Sequence, residues 1–407
     1  MFGYFIAVSK IKKKYALFST FACVKSKKSF SEILGSLDDA VARKAARKLP
    51  AWSGIDIELP GSLALEQCSS SAAASYKAKL ALDRCGGRLG LVCDITGGLG
   101  SDSSAFAAVA DRVQYFERDA ALAEAARRNC SALGISNIEF HCEEIGPASE
   151  LPECDLIYAD PARRSGLGRK LFRLGDCSPD IGVLAPLLLR KAPSLMVKLS
   201  PMADISVLRE SFGERLKEVH VVAVGGEVKE LLCILERGSR PFGGIYAVDA
   251  VAPTEEEGVS FSFLPEEEKE APLVLADGLS PGQIVLEPSA CMLKAGAFRL
   301  PCVRFGLRKL APSTHLYLAG PGGTPPSGLF GRFAIEELLP LNSASVRLLK
   351  SRRLRADVSA RNLPLGSAEL ARRLGCVSDA GLHVFGCATA CSGNLLILAR
   401  PLRESRP

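Results

Sequence analysis

One short segment constrains the fold of this chain more than any other part of the sequence. The apolar run Leu91–Cys93 leads directly into Asp94, and the residues that follow, Ile95–Gly100, include three glycines. Glycine permits left-handed backbone and lets the main chain approach a ligand closely, and the N-terminus of a following helix faces the same ligand. The segment therefore predicts a buried strand, a glycine turn and a helix, in the order typical of α/β ligand-binding units.

The middle of the chain continues this alternation of short apolar runs and helical patterns. Strands are predicted at Leu89–Ile95, Val113–Phe116, Ile138–His141, Leu156–Ala159 and Leu195–Leu199. Helical segments separate most of them, which predicts an α/β fold with a parallel sheet and helices on both faces.

Two later runs break the alternation. Val219–Val224 and Glu230–Leu235 read as strands with only residues 225–229 between them. A hairpin loop of this length cannot join parallel neighbours. The sheet is therefore predicted to end with an antiparallel strand.

The type of ligand follows from the acids around the glycines. Glu117 closes the second predicted strand, 19 residues after Gly98, where a carboxylate can accept both hydroxyls of a ribose. A dinucleotide site has the pattern G-x-G-x-x-G, but Ser103 stands at its third position. Asp94 precedes the glycines, which favours a nucleoside ligand that carries an ammonium group and no pyrophosphate.

On these residues, positions 89–238 resemble the class I S-adenosylmethionine-dependent methyltransferases. Their Rossmann-like sheet has seven strands, parallel except for one. The family pattern D/E-x-G-x-G-x-G matches at Asp94, Gly98 and Gly100, with Thr96 in place of the first glycine. The resemblance implies S-adenosyl-L-methionine as cofactor, with these four residues in its site. It also implies Asp94 near the methionine end.

The same resemblance assigns the remaining cofactor contacts. It implies that Glu117 holds the ribose and that Glu143, just past the third strand, lies near the adenine amine. Glu144 is the alternative for the adenine contact.

A second motif, Asp155–Arg164, ends the fourth predicted strand, where open α/β sheets bind substrate. It resembles the D-P-P-Y motif of methyltransferases that act on exocyclic amines of bases, in which the acid accepts hydrogen bonds from the amine. Asp160 and Pro161 match, Ala162 replaces the second proline, and Arg163 replaces the aromatic that stacks on the base. An Arg plane also stacks on bases. The predicted catalytic residues are Asp160, Pro161 and Arg163.

The loop after the fifth predicted strand should reach the same rim of the sheet. Lys198 and Asp204 are its candidates for facing the pocket. Lys198 is predicted to contact the RNA substrate, and ordinary loop chemistry at a strand end is the alternative.

The charge distribution suggests a polyanionic partner. Residues 1–30 carry seven lysines and no acid, residues 299–407 carry 16 basic and 6 acidic side chains, and the whole chain has a net charge of +6. The middle is therefore acidic between two basic ends. A basic end is the footprint of a nucleic-acid binder, and a solvated charged surface is the alternative.

The densest basic run predicts RNA contacts through phosphates. It consists of Arg347, Lys350, Arg352, Arg353 and Arg355. No aromatics are interleaved, so these side chains would position RNA and not read its bases.

The segment from about Gly331 resembles the THUMP-like domain attached to some bacterial methyltransferases, and Glu287–Gly296 resembles the ferredoxin-like piece that precedes it. In this region Phe333–Leu339 and Ala368–Leu374 are predicted helices. Val346–Leu349, His383–Phe385 and Leu395–Leu398 are predicted strands.

The predicted organisation has five parts. They are a basic extension (1–35), a helical N-terminal domain (36–88), the methyltransferase domain (89–238), a ferredoxin-like α+β segment (239–330) and the THUMP-like domain (331–407).

Composition excludes several classes. The 14 cysteines form no C-x-x-C pair, which argues against a disulfide framework in a chain this long, and four histidines argue against multi-histidine metal chemistry. No uncharged apolar run reaches about 18 residues, so no membrane span is predicted. The expectation is a cytoplasmic protein without a metal.

These observations predict a methyltransferase that modifies a base nitrogen of tRNA or rRNA. Two alternatives remain open. One is a methyltransferase for a protein or small molecule, and the other is a non-catalytic nucleic-acid-binding protein on a methyltransferase scaffold.

Overall fold

A computed structural model describes residues 40–163, 174–250, 259–320, 325–326 and 328–402 of the 407-residue chain. The basic extension predicted at 1–35 lies outside these residues. The chain divides into two compact units, one ending at Gly54 and the other beginning at Ile55. The described part of the first unit is a helix, α1 (40–48), followed by a short 3-10 turn, Pro50–Trp52.

The second unit contains a nine-stranded sheet built mainly from the alternating region. The strands are β1 (Leu89–Asp94), β2 (Ala110–Phe116), β3 (Ile138–His141), β4 (Leu156–Ala159), β7 (Ser194–Leu199), β8 (Leu216–Val224), β9 (Glu227–Glu236), β10 (Gly244–Asp249) and β11 (Val259–Phe263). Their order in the sheet is β11-β10-β8-β9-β7-β4-β1-β2-β3. β5 (Ala162–Arg163) and β6 (Cys177–Ser178) form a separate two-stranded ribbon after β4.

Four helices of this region begin at side-chain caps that the sequence supplies. Ser70 accepts a hydrogen bond from the amide of Ala73 at the start of one helix, and Asp119 and Asp180 cap two others. Asp204, predicted as a candidate for the pocket, caps a fourth helix instead by accepting from the amides of Ser206 and Val207. The helices are α2 (Ser62–Gln67), α3 (Ser71–Arg84), α4 (Ser101–Ala107), α5 (Ala120–Ala132), α6 (Ile181–Lys191), α7 (Ile205–Phe212) and α8 (Pro265–Glu270).

The prediction of a seven-stranded sheet is corrected to nine strands. β10 pairs parallel with β8, and β11 pairs antiparallel with β10, so the sheet continues to Phe263, beyond the predicted boundary at residue 238. The β8–β9 hairpin is present. Its antiparallel strand β9 lies inside the sheet, between β7 and β8, and not at the end. Both edges of that strand are paired, which agrees with its nearly unbroken apolar run.

A second sheet of seven strands follows, in the order β13-β14-β12-β15-β18-β17-β16. Its strands are β12 (Ile284–Pro288), β13 (Arg308–Ala311), β14 (Thr314–Leu318), β15 (Phe330–Pro340), β16 (Asp357–Arg361), β17 (His383–Thr389) and β18 (Gly393–Pro401). Its helices are α9 (Ala290–Ala295), α10 (Leu300–Phe305), α11 (Ser343–Arg352) and α12 (Ser367–Leu374). α9 packs on β8, β9 and β10 of the first sheet.

Two predictions in this region are wrong. Residues 333–339, predicted as a helix, lie in β15, which is paired with both β12 and β18. Residues 346–349, predicted as a strand, lie in α11, which begins where Asn342 accepts a hydrogen bond from the amide of Ser345. Pairing with two neighbours overrides the helix propensity of Ala, Glu and Leu, and a good cap starts the helix at a mixed sequence. None of the helices in the described ranges has the length and hydropathy of a bilayer-spanning segment.

Candidate active site

A cavity of about 710 Å³ opens at the rim where β1, β4 and β7 end. The glycine turn after β1, the ends of β2 and β3, the residues that follow β4 and β7, and the turn between α2 and α3 line it. This is the edge of a parallel sheet at which α/β proteins bind ligands. Of the predicted site residues, Thr96, Gly98, Glu117, Glu143, Asp160, Pro161 and Lys198 line the cavity.

The glycine turn is held against the second strand by a buried tyrosine. Gly97 donates its amide to the carbonyl of Phe116, 2.8 Å away, and Tyr115 donates its hydroxyl to the carbonyl of Gly98, 2.6 Å away. A Cβ on Gly97 would lie 2.0 Å from the ring of Tyr115, and Gly98 has a φ of 54°. The ring of Tyr115 therefore requires glycine at position 97, and the left-handed backbone at position 98 favours it.

Two of the predicted cofactor residues support this turn from behind and do not line the cavity. Asp94 is fully buried and accepts hydrogen bonds from the amide of Thr96 (3.1 Å) and the hydroxyl of Ser103 (2.5 Å). Burial raises the pKa of Asp94 to about 7. Gly100 starts α4 with a φ of 85°, and its Cα faces Ala126 of α5. Both residues shape the turn, and the direct cofactor contact predicted for each stays a prediction.

Glu117 follows β2 at the mouth of the cavity. One carboxylate oxygen accepts from the amide of Gly98 (3.0 Å), and the other accepts from the amide of Asp119 (2.9 Å). Each oxygen keeps a second lone pair. The carboxylate is thus fixed in place and can still accept from ligand hydroxyls.

The two acids considered for the adenine contact differ in their surroundings. Glu143 is exposed and lines the cavity. Glu144 also lines it, and its carboxylate lies 3.1 Å from the guanidinium of Arg118, with both side chains about half exposed. Of these two acids, only Glu144 is held in an ion pair among the described residues.

Asp160 is anchored at two points. Its amide donates to the hydroxyl of Thr96 (2.6 Å), and one of its carboxylate oxygens, Oδ2, accepts from Nζ of Lys198 (2.5 Å). Pro161 lines the cavity next to it, and the side chain of Arg163 lies outside the described part of the structure. Thr96, which stands where the family has glycine, uses its hydroxyl to tie the glycine turn to the end of β4.

A buried charge cluster lies beneath the cavity, and sequence reasoning missed it. Lys77 of α3 is fully buried. Its ammonium lies 2.9 Å from a carboxylate oxygen of Asp102 and donates to Glu230 at 2.9 and 3.0 Å and to Ser69 at 2.8 Å. Asp102 also accepts from the hydroxyl of Tyr158 (2.9 Å). Helix, sheet and cavity wall are thus joined by one ionic network.

The carboxyl groups of the cluster respond differently to their burial. Burial raises the pKa of Asp102, but the nearby Lys77 and Lys198 outweigh it and hold that pKa below its usual range. Burial dominates at Glu230 and raises its pKa. One signal in the sequence points to the cluster, since Lys77 interrupts an alanine stripe at helical spacing on α3.

The predicted basic run lies far from this chemistry in the chain, on α11 and the turn after it, and none of its residues lines the cavity. Arg352 forms a two-pronged ion pair with Glu337, and Arg355 lies 3.1 Å from Asp379. Among the described residues, Arg347, Lys350 and Arg353 have no acidic partner. These three are exposed. The described residues contain no cluster of His, Cys, Asp and Glu side chains suited to hold a metal ion.

Comparison with known proteins gives a match over most of the chain. A ferredoxin-like domain matches residues 285–320, inside the segment predicted as ferredoxin-like. The crystal structure of a putative methyltransferase from Porphyromonas gingivalis W83 is 32% identical and covers 90% of this chain and 89% of that chain, with a TM-score of 0.76. No curated protein matches the sequence.

Other solved structures resemble only part of the chain. A human methyltransferase 10 domain containing protein is 16% identical and covers 49% of this chain and 97% of its own, with a TM-score of 0.38. The T. thermophilus 16S rRNA N2 methyltransferase in complex with AdoMet and guanosine is also 16% identical, covers 42% and 44%, and has a TM-score of 0.32. These two are too distant to carry an argument about function. The structure from Porphyromonas gingivalis, in contrast, matches about nine-tenths of both chains at 32% identity. The chain therefore belongs to the family of the putative methyltransferase from Porphyromonas gingivalis.

Proposed function

We propose that the chain is an S-adenosylmethionine-dependent methyltransferase that acts on a base nitrogen of structured RNA, either tRNA or rRNA. The observation that carries the proposal is that Asp160 and Glu117 line one cavity, on either side of the glycine turn. Thr96 bonds the turn to Asp160, and Gly98 bonds it to Glu117. A nucleoside acceptor and a nucleoside cofactor thus have separate carboxylates at a fixed spacing.

The residues present fit the cofactor. Gly98 lines the cavity without a side chain, and Glu117 offers two fixed oxygens to ribose hydroxyls. Glu143, which lines the same cavity, is the proposed partner of the adenine amine. When bound, S-adenosylmethionine supplies a methyl group activated by its sulfonium charge. Asp94, behind the turn, keeps the turn in its binding shape.

Asp160 would orient the acceptor. Its side chain is 33% exposed, and one of its two oxygens, Oδ1, has no hydrogen-bond partner among the described residues. An exocyclic amine that donates to this oxygen has its lone pair directed along a defined line. A base amine is a poor nucleophile, so positioning matters more here than a strong base. Stacking of Arg163 on the base remains part of the proposal.

RNA is favoured as the substrate by charge. Residues 299–407 carry ten more basic than acidic side chains, and Arg347, Lys350 and Arg353 stand exposed on and after α11. Phosphate contacts of this kind give affinity without sequence preference. The resemblance of residues 331–407 to a THUMP-like domain supports the same substrate.

Cofactor binding can be tested by calorimetry. We expect S-adenosylmethionine to bind, and Glu117→Ala to weaken binding by about 1–3 kcal/mol, the scale for a polar partner left unmatched. Glu150→Ala, which removes an exposed acid that does not line the cavity, is the control. Binding of NAD in place of S-adenosylmethionine would contradict the cofactor assignment.

Substrate class can be tested with a radiolabelled methyl donor. The purified protein is incubated with total RNA, and separately with total protein, from a strain that lacks the gene. Label in RNA, located by nucleoside mass spectrometry, supports the proposal. Label in protein would favour a protein methyltransferase, and cofactor binding without any transfer would favour a non-catalytic binding protein.

A further inference from the structure

Lys198 occupies a position in the sheet that brings it to Asp160. It is the fifth residue of β7, between β4 and β9, where it pairs with Leu232. Side chains two residues apart on a strand share a face, so Glu230 lies on the same face as Lys198. From this place the ammonium of Lys198 reaches Oδ2 of Asp160, 2.5 Å away.

The surroundings of Lys198 fix its charge. Only 13% of its side chain is exposed. Burial would lower the pKa of the ammonium, but the carboxylates of Asp160, Glu230 and Asp102 outweigh burial and raise that pKa above its ordinary value. Lys198 is therefore a permanent cation that cannot accept a proton, and its small exposure limits any contact with an RNA phosphate.

Lys198 also determines which atom of Asp160 a ligand can meet. The amide of Asp160 is engaged by Thr96 and its Oδ2 by Lys198. Two anchors on one residue define the plane of the carboxylate. Oδ1 is left as the acceptor, on a side chain that lines the cavity.

We propose that Lys198 is a positioning residue that holds Oδ2 of Asp160 so that Oδ1 accepts a hydrogen bond from the acceptor amine. This inference rests on the proposed methyl transfer, and it replaces the RNA contact predicted for Lys198 from the sequence. In the step, the lone pair of the amine nitrogen forms a bond to the methyl carbon while the carbon–sulfur bond breaks and its electron pair stays on sulfur. The nitrogen then loses one proton to water, because a carboxylate already paired with an ammonium is a weak base.

A positioning role differs from a merely structural one in its dependence on Asp160. If Lys198 only neutralised Asp102 and Glu230, its loss would cost the same whatever residue stood at position 160. If it acts through the carboxylate, its loss should matter only while that carboxylate is present. A double-mutant cycle separates the two.

The experiment measures kcat and KM for methyl transfer to total RNA from a strain that lacks the gene. The variants are Lys198→Met and Lys198→Arg, each in the wild-type and Asp160→Asn backgrounds. We expect Lys198→Met to lower kcat about tenfold or more, the scale for a misplaced catalytic group, with KM for RNA within about threefold. Lys198→Arg should recover much of the loss, since a guanidinium also pairs with a carboxylate. In the Asp160→Asn background, Lys198→Met should change kcat by less than about twofold.

Lys217→Met is the matched control. Lys217 is a buried lysine of the same sheet, but it lies at the start of β8, does not line the cavity and donates to backbone carbonyls. Should Lys198→Met fail to fold, Lys198→Gln retains a hydrogen-bond donor of similar size and is used in the same cycle. An equal loss in both backgrounds would overturn the inference. A rise in KM with unchanged kcat, as expected of a phosphate contact, would also overturn it. Absence of transfer by the wild type to any RNA would instead contradict the proposed function.

Discussion

The buried cluster under the cavity and the basic surface of α11 both pair basic with acidic side chains, but the two regions differ in how far these pairs are exposed to solvent. Lys77 and Lys198 have side chains that are 0% and 13% exposed, and carboxylates lie within 3 Å of both. Arg352 and Arg355 also pair with carboxylates, but they are 37% and 71% exposed. Buried charges must keep their partners, whereas exposed pairs are weak and screened by salt. The first region acts through fixed geometry, and the second acts through the number of its charges.

The largest expected effect comes from removing Lys77, and it tests whether burial distinguishes the two regions. Lys77→Met leaves Asp102 and Glu230 buried without their shared cation, and breaking a buried ionic network from one side costs about 3–5 kcal/mol. Urea unfolding should show this loss. Arg352→Met, which removes an exposed pair, should leave the unfolding curve unchanged within error. Similar losses for the two variants would mean that burial does not distinguish the two regions.

A second prediction concerns methyl transfer at Asp160, which pairs with the buried Lys198. Asp160→Ala should lower turnover by about 10²-fold or more, the scale for losing one preorganised polar partner, while cofactor affinity stays within a few-fold. In the proposed mechanism Asp160 meets the acceptor and Glu117 meets the cofactor. Single-turnover kinetics and calorimetry on the same preparation separate the two effects. If turnover were unchanged, the resemblance to the D-P-P-Y motif would say nothing about the mechanism.

A third prediction uses the buried carboxyl of Asp94. Its pKa of about 7 in the folded protein lies above the ordinary value, so the folded state holds a proton that the unfolded state has released between about pH 4 and 7. Stability from this group is present at low pH and falls as pH rises to about 7. The slope cannot exceed about 1.4 kcal/mol per pH unit.

Asp94→Asn should remove this dependence, because an amide oxygen can still accept from Thr96 and its nitrogen can donate to Ser103. In urea unfolding, the free energy of unfolding of the variant should increase relative to that of the wild type as the pH is raised from 5 to 8. A difference that does not change with pH would show that Asp94 is ionised throughout.

Sequence reasoning reached the parts of the site that local chemistry dictates. The run of glycines after a buried strand predicts the turn, and Asp160 follows a recognisable strand. Thr96 looked like a departure from the family pattern. Its hydroxyl accepts from the amide of Asp160, a contact across 64 residues that no local pattern encodes.

Long-range pairing explains the remaining differences. Lys77 and Glu230 are 153 residues apart, and their contact depends on α3 packing over the sheet. β15 contains a helix-forming sequence, and it becomes a strand because β12 and β18 both pair with it. In both cases tertiary context decided between conformations that the local sequence permits. The extra strand β11 is different, because Val259–Phe263 alternates apolar and polar residues and sequence reasoning missed that local signal.

The smallest expected effect belongs to the basic surface. Arg347 and Lys350 are exposed without acidic partners among the described residues, whereas Arg352 and Arg355 are paired. The prediction is a difference between two double variants that remove the same charge. Arg347→Gln with Lys350→Gln should flatten the log–log salt dependence of RNA binding by about 1.4, at about 0.7 per single-strand phosphate. Arg352→Gln with Arg355→Gln should flatten it by less than half as much.

The reason for this difference is that a cation already held by a carboxylate must exchange that partner before it meets a phosphate. A cation that stays with its carboxylate releases fewer counterions from RNA, so its removal changes the salt dependence less. Filter binding of total tRNA over a salt series measures both slopes, and calorimetry with S-adenosylmethionine should show the same cofactor affinity in both variants. Equal flattening would mean that the ion pairs on α11 do not restrain their arginines. No flattening in either variant would mean that this surface is merely solvated, and the proposed RNA substrate would lose its main physical support.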